Sequence, residues 1–344
     1  AKQIMERNQH NVMMHFNHPS IIYWSLGNET VDGPNFTAAH DWIRQTDPSR
    51  PIHWERAWLG SNTDIFCPMY YPHADCERYA ADPKSTKPLI QCEYAHAMGN
   101  SGGGFKEYWD LVRKYPKYQG GYIWDFVDQG LRDKSPITGK EIFTYGGDYG
   151  RYPASDYNFN CNGIIASDRR LNPHAYEIQY WHQNVWIKQF DETTGALAIY
   201  NENFFKTLDN LSLTATIFAN GVEQTKVAID DTKGIAPQTT KQIACEALKN
   251  AIAKTKSKNG DKEITVNFAF ASDGSEPLVD KGQVLARQQF VVSAYCFDKV
   301  SKAQEIASQA ASAKHESSNE AKKKASAKTA KQLASNLEVE ETNS

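Results

Sequence analysis

The chain lacks the patterns that several classes of protein require. Its 344 residues carry a formal net charge of -3, which gives no electrostatic case for binding nucleic acid or an anionic membrane. No apolar run is long enough to cross a bilayer. The six cysteines include no Cys-x-x-Cys pair and no zinc-like spacing, so we expect buried or free thiols at Cys67, Cys76, Cys92, Cys161, Cys245 and Cys296.

The first residues lack the features of a translated N-terminus. The chain begins with Ala1 in place of Met, and residues 1–14 contain neither the apolar core nor the cleavage pattern of a signal peptide. The apolar residues Ile4, Met5, Val12 and Met13 lie among polar ones, which indicates the middle of a helix. We therefore expect that residues upstream are missing. The localisation, cytoplasmic or periplasmic, stays unknown.

Aromatic residues are abundant but unevenly distributed. The chain is 40% hydrophobic and 12% aromatic, enough for a sizeable core, and its length suggests two or more domains. All eight Trp residues precede residue 187. This concentration suits a site where sugars stack on aromatic faces, although a large aromatic core would give the same distribution.

Residues 1–186 alternate short β-rich runs with polar or helical connections, the pattern of βα units around a parallel sheet. The clearest helices are 37–45 and 105–114, the second with Tyr108, Leu111 and Val112 at helical spacing. The runs predict five strands: Ile21 to Leu26, Pro51 to Glu55, Asp64 to Met69, Leu89 to Cys92, and Gly121 to Asp125.

Five strands do not close an eight-stranded barrel. If the fold is a TIM (β/α)₈ barrel, these residues hold its second half, strands 4 to 8, plus a long final loop from Gln129 to Leu171. Glu93 follows Glu29 by 64 positions. Three intervening units would then average about 21 residues, against roughly 30 in a typical barrel, so some connecting helices must be minimal.

The pattern changes after residue 186. Residues 187–296 contain several short runs of alternating apolar and polar residues, separated by turn clusters such as Asn220-Gly221. They predict an all-β, immunoglobulin-like sandwich that acts as a structural spacer. Residues 297–344 are rich in Ala, Lys, Ser and Glu, with no aromatic after Phe297, and indicate a low-complexity linker or tail.

Two glutamates each follow a predicted strand in the first segment. The strand at 21–26 ends in Gly-Asn-Glu at Glu29, and the strand at 89–92 ends at Glu93. The carboxyl ends of parallel strands present catalytic groups in α/β folds. Retaining glycoside hydrolysis needs two carboxyl groups about 5 Å apart, one as acid and one as nucleophile. A single such glutamate could equally be a structural cap, and the pair favours the catalytic interpretation.

Several motifs closely resemble the large β-galactosidases of glycoside hydrolase family 2. The resemblance is dense from residue 15 to about 186, and beyond 187 it depends on domain order alone. Its motifs are Asn17-His18-Pro19-Ser20, Trp24-Ser25-Leu26-Gly27-Asn28-Glu29, residues 47–51 (Asp-Pro-Ser-Arg-Pro), residues 67–70 (Cys-Pro-Met-Tyr), residues 92–101 (Cys-Glu-Tyr-Ala-His-Ala-Met-Gly-Asn-Ser), residues 120–129, residues 145–148, Asn162-Gly163 and Asp168-Arg169.

The resemblance implies roles for individual residues. Glu29 matches the general acid/base and Glu93 the nucleophile, so Glu93 must stay ionised and Glu29 must hold its proton until the leaving oxygen needs it. The resemblance also implies four substrate-binding residues. They are Asn28 on the sugar 2-hydroxyl, Tyr70 beside the nucleophile, His96 on a sugar hydroxyl and Trp124 as a stacking platform.

Metal ligands are implied in the same way. Phe159, through its backbone carbonyl, and Asn162, through its side-chain amide, match a site for a monovalent cation, sodium or potassium. An ordinary loop turn is the alternative for these two residues. The family's magnesium site uses the acid/base, here Glu29, but its other ligands, a Glu and a His on an earlier strand, lie outside this chain.

The resemblance implies a retaining exo-β-galactosidase with a β-galactoside as substrate and no nucleic-acid or membrane partner. Homo-oligomerisation of the full-length parent stays open. The family's early barrel strands and N-terminal domain are absent from this chain, so we expect the chain alone to be weakly active or inactive. The alternatives are a β-glucuronidase or β-mannosidase of the same clan, and a carbohydrate-binding protein without turnover.

Overall fold

The computed structural model describes residues 2–150, 156–297, 306, 308 and 309. The chain divides into two compact units, Ala1–Gln183 (unit one) and Asn184–Ser344 (unit two). The expected boundary at residues 186 and 187 falls inside the first strand of unit two, which begins at Val185. The expected low-complexity tail lies almost entirely outside the described residues. None of the described helices is both long and apolar enough to cross a bilayer.

Unit one alternates helices with short parallel strands. Its elements are α1 Lys2–His15, β1 Trp24–Ser25, α2 Pro34–Thr46, β2 Ile52–His53, a 3₁₀ turn at Glu55–Ala57, α3 His73–Ala81, β3 Leu89–Tyr94, α4 Phe105–Lys114, β4 Tyr118–Ile123, β5 Leu131–Lys134, β6 Glu141–Thr144, a 3₁₀ turn at Gly146–Tyr149 and α5 Pro173–Trp181.

The parallel strands succeed one another in chain order. β1 pairs with β2, and β3 pairs with β4, both in parallel. Between these pairs, the N–H of Asp64 donates to the carbonyl of Ile52 at 2.7 Å, and Phe66 forms a parallel bridge with Leu89. The predicted strand at 64–69 is therefore reduced to this bridge. A 3₁₀ turn replaces a full helix between β2 and the bridge, which explains the short spacing between Glu29 and Glu93.

The helices of unit one bury one face each. α2 begins with Pro34, whose fixed φ suits a first helical position, and buries Phe36, Ala39 and Ile43 among residues of β1 and β2. α4 has the predicted bounds 105–114 and buries Phe105, Tyr108 and Leu111. Because these apolar residues recur every three or four positions, each helix packs outside its strands and leaves the strand ends free.

The segment from Gln129 to Leu171, expected as one long final loop, contains regular secondary structure. β5 and β6 form an antiparallel hairpin within it, with Leu131 opposite Thr144 and Lys134 opposite Glu141. All four residues of β5 are exposed. A strand with no buried face leaves no apolar alternation in the sequence, so periodicity could not reveal it.

Unit two is a sandwich of two antiparallel sheets. Its elements are β7 Val185–Asp191, β8 Ala196–Asn201, β9 Leu211–Ala219, β10 Val222–Ile229, β11 Thr239–Ala244, α6 Glu246–Asn259, β12 Ile264–Ser272 and β13 Val284–Ser293. One sheet has the order β10-β9-β12-β13 and the other β11-β8-β7. Both contribute to one apolar core, and α6, which the sequence analysis did not predict, adds Leu248 and Ile252 to it.

Candidate active site

Glu93 lies near the carboxyl end of β3, and Tyr70 is bonded to it twice. The Tyr70 hydroxyl donates to Glu93 Oε2 at 2.5 Å, and the backbone N–H of Tyr70 donates to the Glu93 carbonyl at 2.7 Å. Glu93 is partly exposed and Tyr70 is 38% exposed. A short bond to a carboxylate is a charge-assisted one, so this phenol holds the Glu93 carboxylate in one orientation.

His96 joins this pair to Asn162 and Phe159. The His96 ring stacks on Tyr70 at 5.7 Å between centroids and meets the edge of Phe159 at the same distance. His96 Nε2 donates to Asn162 Oδ1 at 2.9 Å, and Asn162 Nδ2 donates to the Phe159 carbonyl. Asn162 is only 1% exposed, so it bonds to the imidazole from the buried side. His96 is itself only partly buried, which leaves one side of its ring accessible.

Trp124 reaches the same strand end through its backbone. Its N–H donates to the carbonyl of Tyr94 at 3.3 Å, and its carbonyl accepts from the N–H of Ala97 at 3.0 Å. The next residue, Asp125, donates its N–H to the Asn162 carbonyl at 2.8 Å. These bonds tie the end of β4 to the segment that carries His96.

Asn28 and Glu29 lie in the loop after β1, and both are exposed. Asn28 lines a cavity of about 350 Å³ together with Ser25, Arg7 and Cys92, the residue before Glu93. The loop after β1 and the end of β3 therefore border one space. A larger cavity of about 540 Å³ is lined by none of the predicted site residues.

The two candidate carboxylates act on the same phenol. Burial raises the pKa of Tyr70 well above its usual value, and the hydrogen bond to Glu93 and the charges of Glu93 and Glu29 raise it further. The phenol consequently stays protonated and acts as a hydrogen-bond donor at neutral pH.

Three residues of the site have left-handed backbone conformations, which are uncommon for residues other than glycine. The φ angles are 47° at Glu29, 50° at Tyr70 and 50° at Ala95. Such conformations cost about 1–3 kcal/mol each and persist where surrounding contacts enforce them, often at functional sites. Ala95 directly follows β3, and Glu29 and Tyr70 each lie four residues past a strand end or bridge.

Glu55 is a residue of this region that the sequence analysis did not select. It follows β2, is 3% exposed, and accepts the backbone N–H of Glu29 on Oε2 at 3.2 Å. Arg56 Nε lies 2.9 Å from the same oxygen. Burial raises the pKa of Glu55, Arg56 lowers it, and the charge of Glu29 raises it. A signal was present, since the predicted strand at 51–55 ends in a glutamate like the other two.

The expected cation ligands fit their ions poorly. Asn162 Oδ1 already accepts from His96, and the Phe159 carbonyl accepts from Asn162, so both oxygens have protein partners. Throughout the described ranges, no group of three or more His, Cys, Asp or Glu residues is arranged to hold a metal. Glu29 is therefore not part of such a group within the described residues.

The model of the family described as "Glycosyl hydrolases family 2, TIM barrel domain" matches residues 1–187, more than half of the chain. The chain belongs to glycosyl hydrolase family 2. A second model, "Beta-galactosidase, domain 4", matches residues 197–293, which correspond to the sandwich of unit two. The family assignment made from the motifs is therefore confirmed, as is a TIM-barrel domain followed by a β-galactosidase sandwich domain.

Curated relatives of this family 2 chain include several β-galactosidases. That of Leuconostoc mesenteroides subsp. mesenteroides is 36% identical over 307 residues, covering 84% of this chain and 28% of the relative. That of Photobacterium profundum is 38% identical over 311 residues, covering 85% and 29%. One from Vibrio vulnificus is 41% identical over 237 residues, covering 64% and 23%. The chain thus spans less than a third of the length of these relatives.

Proposed function

We propose that this chain carries the two catalytic carboxylates of a retaining exo-β-galactosidase, which hydrolyses terminal, non-reducing β-D-galactose residues. The observation that carries the proposal is the 2.5 Å hydrogen bond from Tyr70 to Glu93, on a phenol that also experiences the charge of Glu29. Double displacement needs two carboxyl groups, one as nucleophile and one as acid/base, and we assign these roles to Glu93 and Glu29. The similarity to curated β-galactosidases supports galactose as the sugar.

In the proposed reaction, Glu93 attacks the anomeric carbon while Glu29 gives its proton to the departing oxygen. The Glu93 oxygen forms a bond to the sugar as the glycosidic bond breaks, and the aglycone leaves as an alcohol. Glu29, now ionised, takes a proton from water, whose oxygen attacks the same carbon and displaces Glu93. The sugar leaves with retained configuration, and both carboxyl groups return to their initial states.

The neighbouring side chains have supporting tasks in this proposal. The Tyr70 hydroxyl orients Glu93 and donates to it again when it is released as a leaving group. His96, held by Asn162, and Asn28, in the loop before Glu29, bind sugar hydroxyls, and Trp124 supplies an apolar face for the sugar ring. Each step uses side chains of this chain.

We further propose that unit one supplies strands 4 to 8 of a (β/α)₈ barrel and that unit two is an immunoglobulin-like spacer. The proposal is supported by the parallel succession of strands in unit one and by the two packed sheets of unit two. Half of a barrel leaves the site open to water. We therefore expect the isolated chain to hydrolyse galactosides slowly or not at all, and the full-length parent to be active.

A covalent label tests the proposed nucleophile. A 2-deoxy-2-fluoro-β-galactoside with a dinitrophenolate leaving group should release one burst of dinitrophenolate from the full-length protein and leave a fluorogalactosyl group on the enzyme. The tryptic peptide 85–106 should carry the added mass, since trypsin does not cleave between Lys87 and Pro88 and Glu93 is the peptide's only acidic side chain.

The matched control is the corresponding fluoroglucuronide. A burst with the glucuronide alone would contradict the galactoside assignment and favour a β-glucuronidase. A label on a peptide other than 85–106 would contradict the role of Glu93. The absence of a burst with every sugar tested would support a carbohydrate-binding protein without turnover.

A further inference from the structure

Glu55 is a third carboxylate beside the two proposed catalytic ones. It begins the 3₁₀ turn after β2, and its side chain is almost completely buried, at 3% exposure. Burying a carboxylate is costly unless its oxygens are bonded. Here Oε2 accepts the backbone N–H of Glu29 at 3.2 Å and lies 2.9 Å from Arg56 Nε. The buried group thus connects the β2 end to the loop after β1.

Glu29 needs such a connection because its own segment has little else to hold it. The residue is exposed, lies in the loop after β1 and has a φ of 47°. Within the described part of the chain, the bond from its N–H to Glu55 is the hydrogen bond that ties it to the rest of unit one. A left-handed residue on an exposed loop relaxes readily when its anchor is removed.

We propose that Glu55 is a positioning residue for Glu29, holding the acid/base loop in place through the Glu29 N–H. The inference rests on the proposed function and adds to it a residue that contacts neither sugar nor nucleophile. Misplacing a catalytic group by about 1 Å can cost about 10²-fold in rate. Losing Glu55 therefore impairs proton transfer and leaves attack by Glu93 intact.

Leaving-group dependence separates positioning from a purely structural role. In the full-length protein, Glu55→Ala should lower kcat/KM by about 10²-fold for an alkyl galactoside, whose oxygen must be protonated as it departs. With dinitrophenyl galactoside, which departs without a proton, the loss should be less than about threefold. Glu55→Gln keeps an oxygen that accepts the Glu29 N–H, so it should recover most of the alkyl galactoside activity.

The matched control is Asp64→Ala. Asp64 is another carboxylate of unit one that accepts a backbone N–H, that of Ile52 at 2.7 Å, but it is not bonded to Glu29. This variant should lose stability and retain the wild-type ratio between the two substrates. Rates are divided by the number of sites that release dinitrophenolate from the fluorogalactoside, so unfolded molecules are not counted.

The outcomes are separable. No burst from the wild-type protein would overturn the proposed function itself. A normal wild-type burst together with equal losses on both substrates in Glu55→Ala, or with Gln as damaging as Ala, would overturn the positioning role. If Glu55→Ala does not fold, the Glu55→Gln variant alone tests the positioning role. An unchanged substrate ratio and an unchanged melting temperature in Glu55→Gln support the bond to the Glu29 N–H, and a ratio shifted by about tenfold or more overturns it.

Discussion

Tyr70 is joined to Glu93 by both its hydroxyl and its backbone. The hydroxyl donates to the carboxylate at 2.5 Å and the N–H donates to the carbonyl at 2.7 Å. The double attachment aligns the bridge around Phe66 with the end of β3, so the phenol cannot move independently of the carboxylate. The candidate nucleophile is thus oriented before any sugar arrives. A preorganised site avoids the free-energy cost of reorganising its groups during the reaction.

Replacing the proposed nucleophile should abolish turnover without unfolding the chain. Glu93→Gln removes the negative charge that attacks the sugar and retains the shape of the side chain. We expect kcat for a chromogenic galactoside to fall by at least ~10³-fold, because the covalent route is lost. The control Glu77→Gln changes a partly exposed glutamate on α3 that pairs with Lys114, and it should leave kcat unchanged. Activity retained by Glu93→Gln would contradict the assignment.

Removing the Tyr70 hydroxyl should weaken the reaction to a smaller degree. A hydrogen bond to a charged group is worth about 1.5–3 kcal/mol, so Tyr70→Phe should lower kcat by roughly 10- to 100-fold. Steady-state kinetics with a chromogenic galactoside measure this effect. Tyr79→Phe, which removes a hydroxyl that donates to the Lys87 carbonyl, is the matched control. An equal loss in both variants would show that the effect is structural.

His53 should make unit one less stable at acid pH. Burial lowers the pKa of this 2%-exposed imidazole to about 4, from an ordinary value near 6.5. Below pH 6.5 the His53 ring binds a proton in the unfolded chain but stays neutral in the folded chain. The stability that is present above pH 6.5 is therefore lost as the pH falls towards 4. Between pH 7 and pH 5 the loss should be about 2 kcal/mol.

Chemical unfolding followed by tryptophan fluorescence measures this loss, since every tryptophan except Trp186 lies before residue 184. His53→Gln should reduce the difference in the free energy of unfolding between the two pH values. His10→Gln, at an exposed position of α1, should leave the difference as in the wild type. An identical pH dependence in all three proteins would contradict this role of His53.

The core of unit two should depend on a cluster of three phenylalanines. Phe268 on β12 is fully buried, and its ring centroid lies 5.2 Å from that of Phe190 and 5.8 Å from that of Phe290. Phe268→Ala should destabilise unit two by about 3–5 kcal/mol, through lost burial and the cavity left behind. Phe205→Ala, at a 95%-exposed position, should cost less than about 0.5 kcal/mol. Thermal unfolding followed by circular dichroism compares them.

Local patterns predicted the elements that bury one face. The apolar residues of α4 recur at helical spacing, and its bounds at 105–114 were predicted. β9 alternates buried and more exposed residues along its length, and the sequence shows the same alternation. The fully exposed strand β5 shows no such alternation in its sequence. Neither α6 nor the hairpin of β5 and β6 was predicted. Periodicity reports burial, so a strand without a buried face escapes it, whereas α6 buries Leu248, Ile252 and Thr255 at helical spacing and its pattern was missed.

The sequence by itself determined the family and the positions of Glu29 and Glu93 near or after strand ends, because motifs and strand ends are local patterns in the chain. The family resemblance also implied that Tyr70 lies beside the nucleophile, and the tertiary structure supplied the geometry of that contact. Only the tertiary structure decided that Asn162 holds His96 and that buried Glu55 holds Glu29. These partners are 23, 66 and 26 positions apart. Contacts of that kind arise when strands align side by side, and no local pattern records which side chains then meet.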